Sequence, residues 1–433
     1  MRARHVLVGI VLLSTTGLAS AAIKTVALQG DQTPQPTFFY RKFTAPAVSD
    51  TPGAHVADYA LAIGKRCIYL LDPSGGSNAT EACQRDAAPP NGLFRRLNPP
   101  SVALTGDVAW IAKVSFGRGG VFRSGPSPVA LVGDAVPAPG TGVLAKITSS
   151  RITDSGDVAF QSDISGGAVV AGVEQNQGLF RCTGGNGNCS TGGTGTLQTL
   201  LLVGDPVPDR TGRHFCAFLE VTASTFGVAF RATTKLDCSA GAEIALTGVF
   251  RIAFAGAAET LGLAGEVSEP VTTPGGSVYA SFDRPAAIEN GGSVAFVAST
   301  SGVPATSAIY RCDSGTCPAA PASAIVLRGD VAAPSESFQL FSQAAISAAK
   351  DVAFTARLAG PTAQYGLFVR RAAGGPPDTI VLNGDSVPDS PSPATFLINV
   401  TTPGMSSGGK ISFMSRIRRT VSPRSRKGIF VVE

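Results

Sequence analysis

The chain has 433 residues, 44% of them hydrophobic and only 15% charged, with 51 Gly and 30 Pro. That apolar content excludes a disordered chain, and so many turn formers predict many short elements around a large core. Basic residues number 35 and acidic residues 30, and without Arg2, Arg4 and one basic cluster near the C-terminus the balance is close to neutral.

Arg2 and Arg4 precede the apolar run Val6 to Leu13, and Ala19-Ser20-Ala21 follows. A positive start, a short apolar stretch and a small-residue site describe a secretory signal peptide over residues 1–22, cut after Ala21 or Ala22. The run is too short to span a bilayer. No later stretch resembles a membrane span or a tail anchor, so the expected product is a soluble secreted or periplasmic chain.

From residue 23 onward the chain repeats itself. One element is a polar turn followed by Val-Ala-aromatic: Val108-Ala109-Trp110, Val158-Ala159-Phe160, Val228-Ala229-Phe230, Val294-Ala295-Phe296 and Val352-Ala353-Phe354. Ile411-Ser412-Phe413 and Val56-Ala57-Asp58 are degenerate copies. Turn residues such as Asp154-Ser155-Gly156 and Asn290-Gly291-Gly292 come before it, Asp and Asn bonding their own backbone and Gly accepting positive φ. A second element is Gly-hydrophobic-aromatic-Arg, clear at Gly120 to Arg123, Gly178 to Arg181 and Gly248 to Arg251. A third is an apolar strand ending in Gly-Asp, as in Leu131-Val132-Gly133-Asp134. A weaker fourth strand follows, for instance Gly142 to Ile147.

Four short strands in each unit of about 50 to 70 residues is the pattern of a β-propeller blade. The sequence therefore predicts one all-β domain over residues 23–433: a seven-bladed propeller closed by N-terminal strands that complete the last blade. Six blades is the alternative, with the degenerate first unit as an extension. The Val-Ala-Phe strand, large on one face and small on the other, is placed nearest the axis.

Eight cysteines fall into local pairs, and disulfides are expected at Cys67–Cys83, Cys182–Cys189, Cys216–Cys238 and Cys312–Cys317. Zinc spacing is not present.

The Asp/Asn-x-x-Gly-x-Val-Ala-Phe pattern of Asp154 to Phe160 and Asn290 to Phe296 resembles the choice-of-anchor tandem-repeat NxxGxxAF-containing proteins, an uncharacterised bacterial surface and secreted group. It is more weakly similar to the repeats of Tol-system periplasmic propellers. The resemblance covers the mature chain and implies no catalytic residues. It also implies a C-terminal anchor, which this sequence does not display.

Candidate chemistry is sparse. Asp31, Asp86, Asp134, Asp205, Glu266, Asp330 and Asp385 end the third element of successive units. Repetition puts them in a ring, where carboxylates suit calcium, but a role repeated in every unit reads first as turn capping. Gly404-Met405-Ser406-Ser407-Gly408 matches a nucleophile elbow in letters, without the strand-to-helix context. Only His55 and His214 remain after the leader, which leaves little for a Ser–His pair. Arg416, Arg418, Arg419, Arg424, Arg426 and Lys427, with Lys410 nearby, form a basic loop between the last two strands that could dock an anionic partner. The expectation is a monomeric, non-catalytic binding scaffold for a protein or polysaccharide, without cofactor unless calcium, and with nucleic acid not indicated. The alternative is an extracellular carbohydrate-active or metal-dependent enzyme using acids at the propeller mouth.

Overall fold

The computed structural model describes residues 23–433 apart from short internal segments, the longest being 266–277 and 388–394; residues 1–22, the expected leader, lie outside the described residues. The strands among the described residues form seven antiparallel sheets of four or five strands, with a two-stranded ribbon, Val169–Val170 and Val173–Glu174, beside the third.

In chain order the first sheet is Ala47–Val48, Val56–Ala62, Lys65–Leu71 and Ala79–Cys83. The second is Phe94–Leu97 with Ser101–Val102, then Val108–Val114, Gly119–Arg123 and Ser127–Leu131. The third is Val143–Ile152, Val158–Ser165, Gln177–Thr183 and Thr196–Leu202. The fourth is His214–Ala223, Gly227–Lys235, Leu246–Ala253 and Ala258–Leu263. The fifth is Val278–Phe282 with Ala287–Ile288, then Val294–Ser301, Ser307–Cys312 and Ser323–Leu327. The sixth is Glu336–Ile346, edged by Val331–Ala333, then Val352–Ala359, Tyr365–Arg370 and Asp378–Leu382. The seventh is Thr395–Met405, Ile411–Arg419 and Ser422–Val432, with Ile23–Leu28 as its outermost strand.

The apolar core lies between sheets. Ile429 and Val431 of the seventh sheet pack on Tyr69 and Leu71 of the first, and Ile68 and Ala82 of the first on Trp110 of the second. Val121 of the second meets Phe160, Ala159 meets Phe230 and Ala229 meets Phe296. Ala295 meets Phe354, and Ala353 meets Phe413 of the seventh sheet. Each sheet is thus covered on both faces by its neighbours, and the stack returns to its start. The fold is an all-β propeller.

The Val-Ala-Phe element is the second strand of its sheet, not the strand at the axis. Val158 and Phe160 face the second sheet while Ala159 faces the fourth. A strand of this pattern needs a neighbour on each face and a hydrogen-bonded strand on each edge. The axial position leaves one edge unpaired, and the weaker fourth strand of the repeat takes it, as the inner strand of the following sheet.

Each Val-Ala-Phe aromatic stacks on the aromatic of the third strand: Phe160 on Phe180 at 5.4 Å, Phe230 on Phe250 at 5.5 Å, Phe354 on Phe368 at 5.7 Å. The glycine two residues before that partner lies under its ring. A Cβ on Gly178 would sit 2.6 Å from Phe180 Cζ, which explains why the third-strand motif opens on Gly.

Ile23–Leu28 pairs antiparallel with Ser422–Val432, Ile23 opposite Val432. Lys24 Nζ lies 2.5 Å from Glu433. One N-terminal strand therefore completes three C-terminal ones. Four disulfides join Cys67–Cys83, Cys182–Cys189, Cys216–Cys238 and Cys312–Cys317, chemistry that belongs to an oxidising compartment. Among the described residues no helix is long and apolar enough to cross a membrane.

Candidate functional site

Every inner strand ends in an apolar residue: Val48, Val102, Ile152, Ala223, Ile288, Ile346 and Met405. All seven line one cavity of about 110 Å³ on the axis, together with Ser49, Thr153, Asp154, Ser224, Glu289, Asn290, Ser406 and Ser407. The turns that follow the second, third, fifth, sixth and seventh inner strands are built alike. Thr153 N–H donates to Asp157 O at 2.8 Å and Gly156 N–H to Thr153 O at 2.9 Å, with Gly156 at φ 84°. Ser406, Ser347 and Glu289 repeat the scheme.

The copies differ at the second turn position, which is Leu104, Asp154, Thr225, Asn290, Ala348 and Ser407 in successive sheets. Asp154 does not cap its own turn, contrary to the sequence reading. Its carboxylate reaches across the mouth and accepts from Leu104 N–H at 2.9 Å, Asn290 Nδ2 at 2.7 Å and Ser407 Oγ at 3.1 Å. Asn290 Oδ1 in turn accepts from Thr225 N–H at 3.1 Å, and Ser407 O from Ala348 N–H at 2.9 Å. One side chain thereby ties the second, third, fifth and seventh sheets at the axis. A single sequence copy could not show this, because the partners are supplied by other copies.

Below the mouth, Arg151 of the third inner strand sits by Glu220 of the fourth. Burial pulls the Arg151 guanidinium below its ordinary range, and the Glu220 charge works against that. Arg231 Nη2 lies 3.0 Å from Glu220.

The repeated acids sit elsewhere, where each outer strand crosses to the next sheet. The Oδ2 of Asp31, Asp86, Asp134, Asp205, Asp330 and Asp385 accepts from the backbone N–H three residues earlier, at 2.7–2.8 Å. The Gly before each Asp is left-handed, as at Gly133 with φ 95°; Arg85 holds that conformation at φ 73° in the first sheet. Gly133 N–H donates to Leu144 O and Leu144 N–H to Asp134 O, so the turn also clips the next inner strand. Glu266 lies outside the described residues. Burial raises the Asp205 carboxyl above its ordinary value, while the Leu202 N–H and His214 oppose the rise. Asp134→Ala should remove one turn bond and lower stability by about 1–2 kcal/mol; an unchanged urea midpoint would count against a capping role.

Ser406 of the elbow-like stretch is buried and its Oγ accepts from Lys410 N–H at 2.9 Å. It leads from a strand into a turn, not into a helix. His214 Nδ1 lies 2.8 Å from Gly204 O, and His55 is outside the described residues. Arg416, Arg418, Arg419, Arg424, Arg426 and Lys427 are not in a loop. They lie on the two arms of the Ile411–Arg419 and Ser422–Val432 hairpin, with Arg416 opposite Lys427. Arg416, Arg418 and Arg426 are exposed; nothing is described of the Arg419 and Arg424 side chains.

A second concavity, of about 670 Å³, lies between the second and third sheets. Sequence reading missed it, because Arg96, Lys113 and Lys146 belong to no motif and meet only through strand register.

A family model described as a family of unknown function, DUF7453, matches residues 14–319 and 320–433. No curated protein matches the chain. Among solved structures, the Dos1 propeller is 10% identical over 94% of each chain, with a TM-score of 0.39. An oligogalacturonate lyase from Vibrio parahaemolyticus is 9% identical, over 96% of this chain and 98% of its own, with a TM-score of 0.46. The polysaccharide lyase Uly1 is 6% identical over 95% and 99%, with a TM-score of 0.45. Likeness at this level carries no argument about chemistry.

Proposed function

The chain belongs to the DUF7453 family of unknown function, whose name brings no activity with it, and from its geometry we propose an exported, non-catalytic propeller that binds a partner through its surface grooves. One observation carries this reading: the carboxylates a propeller enzyme would use are engaged in holding the fold. The six described turn aspartates each accept from their own turn, and Asp154 accepts from three other sheets.

Export through a signal peptide at residues 1–22 is part of the reading, supported by the N-terminal pattern and the four disulfides. So is the tandem-repeat resemblance of the Asp154 to Phe160 unit. A ring of seven blades is the count we favour; seven stacked sheets, each with its own aromatic or tyrosine at the shared register, support it. The six-blade count would set the first sheet aside. That sheet packs on the seventh through Tyr69 and on the second through Ile68. An experimental electron-density map counts the sheets directly.

Catalysis and calcium are tested together. Purified protein incubated with acidic and neutral polysaccharides should retain them without releasing reducing ends or unsaturated products. EDTA should leave the melting temperature unchanged. Product release, or a fall in melting temperature that calcium restores, would move the reading to an enzyme or a metal site at these acids.

A further inference from the structure

We propose that the groove between the second and third sheets is a binding site for an acidic oligosaccharide. The inference rests on the scaffold reading and names its ligand class. The groove's volume of about 670 Å³ falls in the range of small-molecule sites. Arg96 and Asn98 line it from the second inner strand and its continuation, Lys113 from the Val108–Val114 strand, and Lys146 and Thr148 from the third inner strand.

Arg96 and Lys113 are cross-strand partners, and Lys113 is opposite Gly119. Like charges directly opposed on adjacent strands destabilise a sheet. The same three-strand row avoids this in the third to sixth sheets. It is Lys146–Asp163–Gln177 in the third, Ala217–Thr233–Thr247 in the fourth, Ser281–Ser299–Ser307 in the fifth and Leu340–Arg357–Tyr365 in the sixth. The seventh sheet, Ile398–Arg416–Lys427, also opposes two cations, but the second adds a third, Lys146, from across the groove. All three are exposed, and among the described residues none is in an ion pair. Gly119 contributes no side chain to that row, which leaves the space open.

The opposed cations are a local cost that a bound anion relieves. The rest of the lining points to a sugar. The amide of Asn98 and the hydroxyl of Thr148 suit ring hydroxyls, and Ile111, Val132 and Ile147 offer an apolar floor for C–H faces. No lining residue is aromatic, so the groove lacks the stacking platform that single-stranded nucleic acid uses.

The test is calorimetric titration with oligogalacturonate, a neutral glucan oligomer and single-stranded DNA. Wild type should bind the oligogalacturonate, weaken as salt rises, and ignore the neutral oligomer. The R96A/K113A/K146A variant should lose about tenfold or more in affinity with a denaturation midpoint no lower than that of wild type. R416A/R418A, on the hairpin, should bind as wild type. Equal affinity in the triple variant, no binding by wild type, or tighter binding of DNA would each overturn the assignment. Turnover of a bound glycan would instead overturn the non-catalytic reading, and the groove would stand if the triple variant abolished that turnover.

Discussion

Replacing Arg251 with alanine is expected to lower the unfolding free energy by about 3–4 kcal/mol. The side chain is 2% exposed. Its guanidinium donates to Glu259, to Gly292 O in the fifth sheet and to Cys317 O at 3.3 Å, and lies 5.5 Å from the Phe226 ring centroid. Glu259 reaches solvent and can rehydrate when its partner is removed, so most of the loss falls on the two backbone carbonyls and the volume left behind. Arg251→Met restores volume without donors and should recover only part of the loss. Urea midpoints that rank Met equal to wild type would show that the hydrogen bonds between sheets contribute little. Arg311 extends the pattern, donating to Lys350 O of the sixth sheet at 3.2 Å.

Phe160→Ala should destabilise by about 3–5 kcal/mol. Phe160 is fully buried, stacks on Phe180 and fills the gap toward Val121 of the second sheet. Leucine at the same place keeps most of the volume and should fall in between. A near-neutral alanine variant in equilibrium unfolding would mean that the gap closes without the ring, against the tight packing its stacking indicates.

Both residues were legible as repeat elements, and so was the propeller itself. Val-Ala-Phe, Gly-hydrophobic-aromatic-Arg and Gly-Asp each recur in phase, and recurrence reports a shared environment. The radial order was less legible. Large-small alternation states that both faces of a strand are buried, but not whether its edges are paired, so the sequence alone puts the Val-Ala-Phe strand one position too near the axis. The basic cluster is visible in the sequence but reads there as a loop, because the two hairpin arms extend beyond the apolar pattern that marks their strands.

The groove and the axial carboxylate were hidden for a different reason. Periodicity averages over copies and displays what they have in common. Asp154 works through Leu104, Asn290 and Ser407, and Arg96 works beside Lys113 and Lys146. These are relations between unlike copies, and they appear only when the strands are in register.

The pairing of Ile23–Leu28 with Ser422–Val432 has a consequence for the life of the chain before it is folded. Among the described strands, the first in the chain is among the last to find its partner. While the ribosome adds the intervening sheets, that strand must wait with an open edge, and the ring cannot lock until Ser422–Val432 is free. Contacts this distant in sequence make closure slow and leave exposed strand edges during assembly. A polypeptide that stays unlocked until so distant a partner emerges is also one that can still be threaded through a narrow pore.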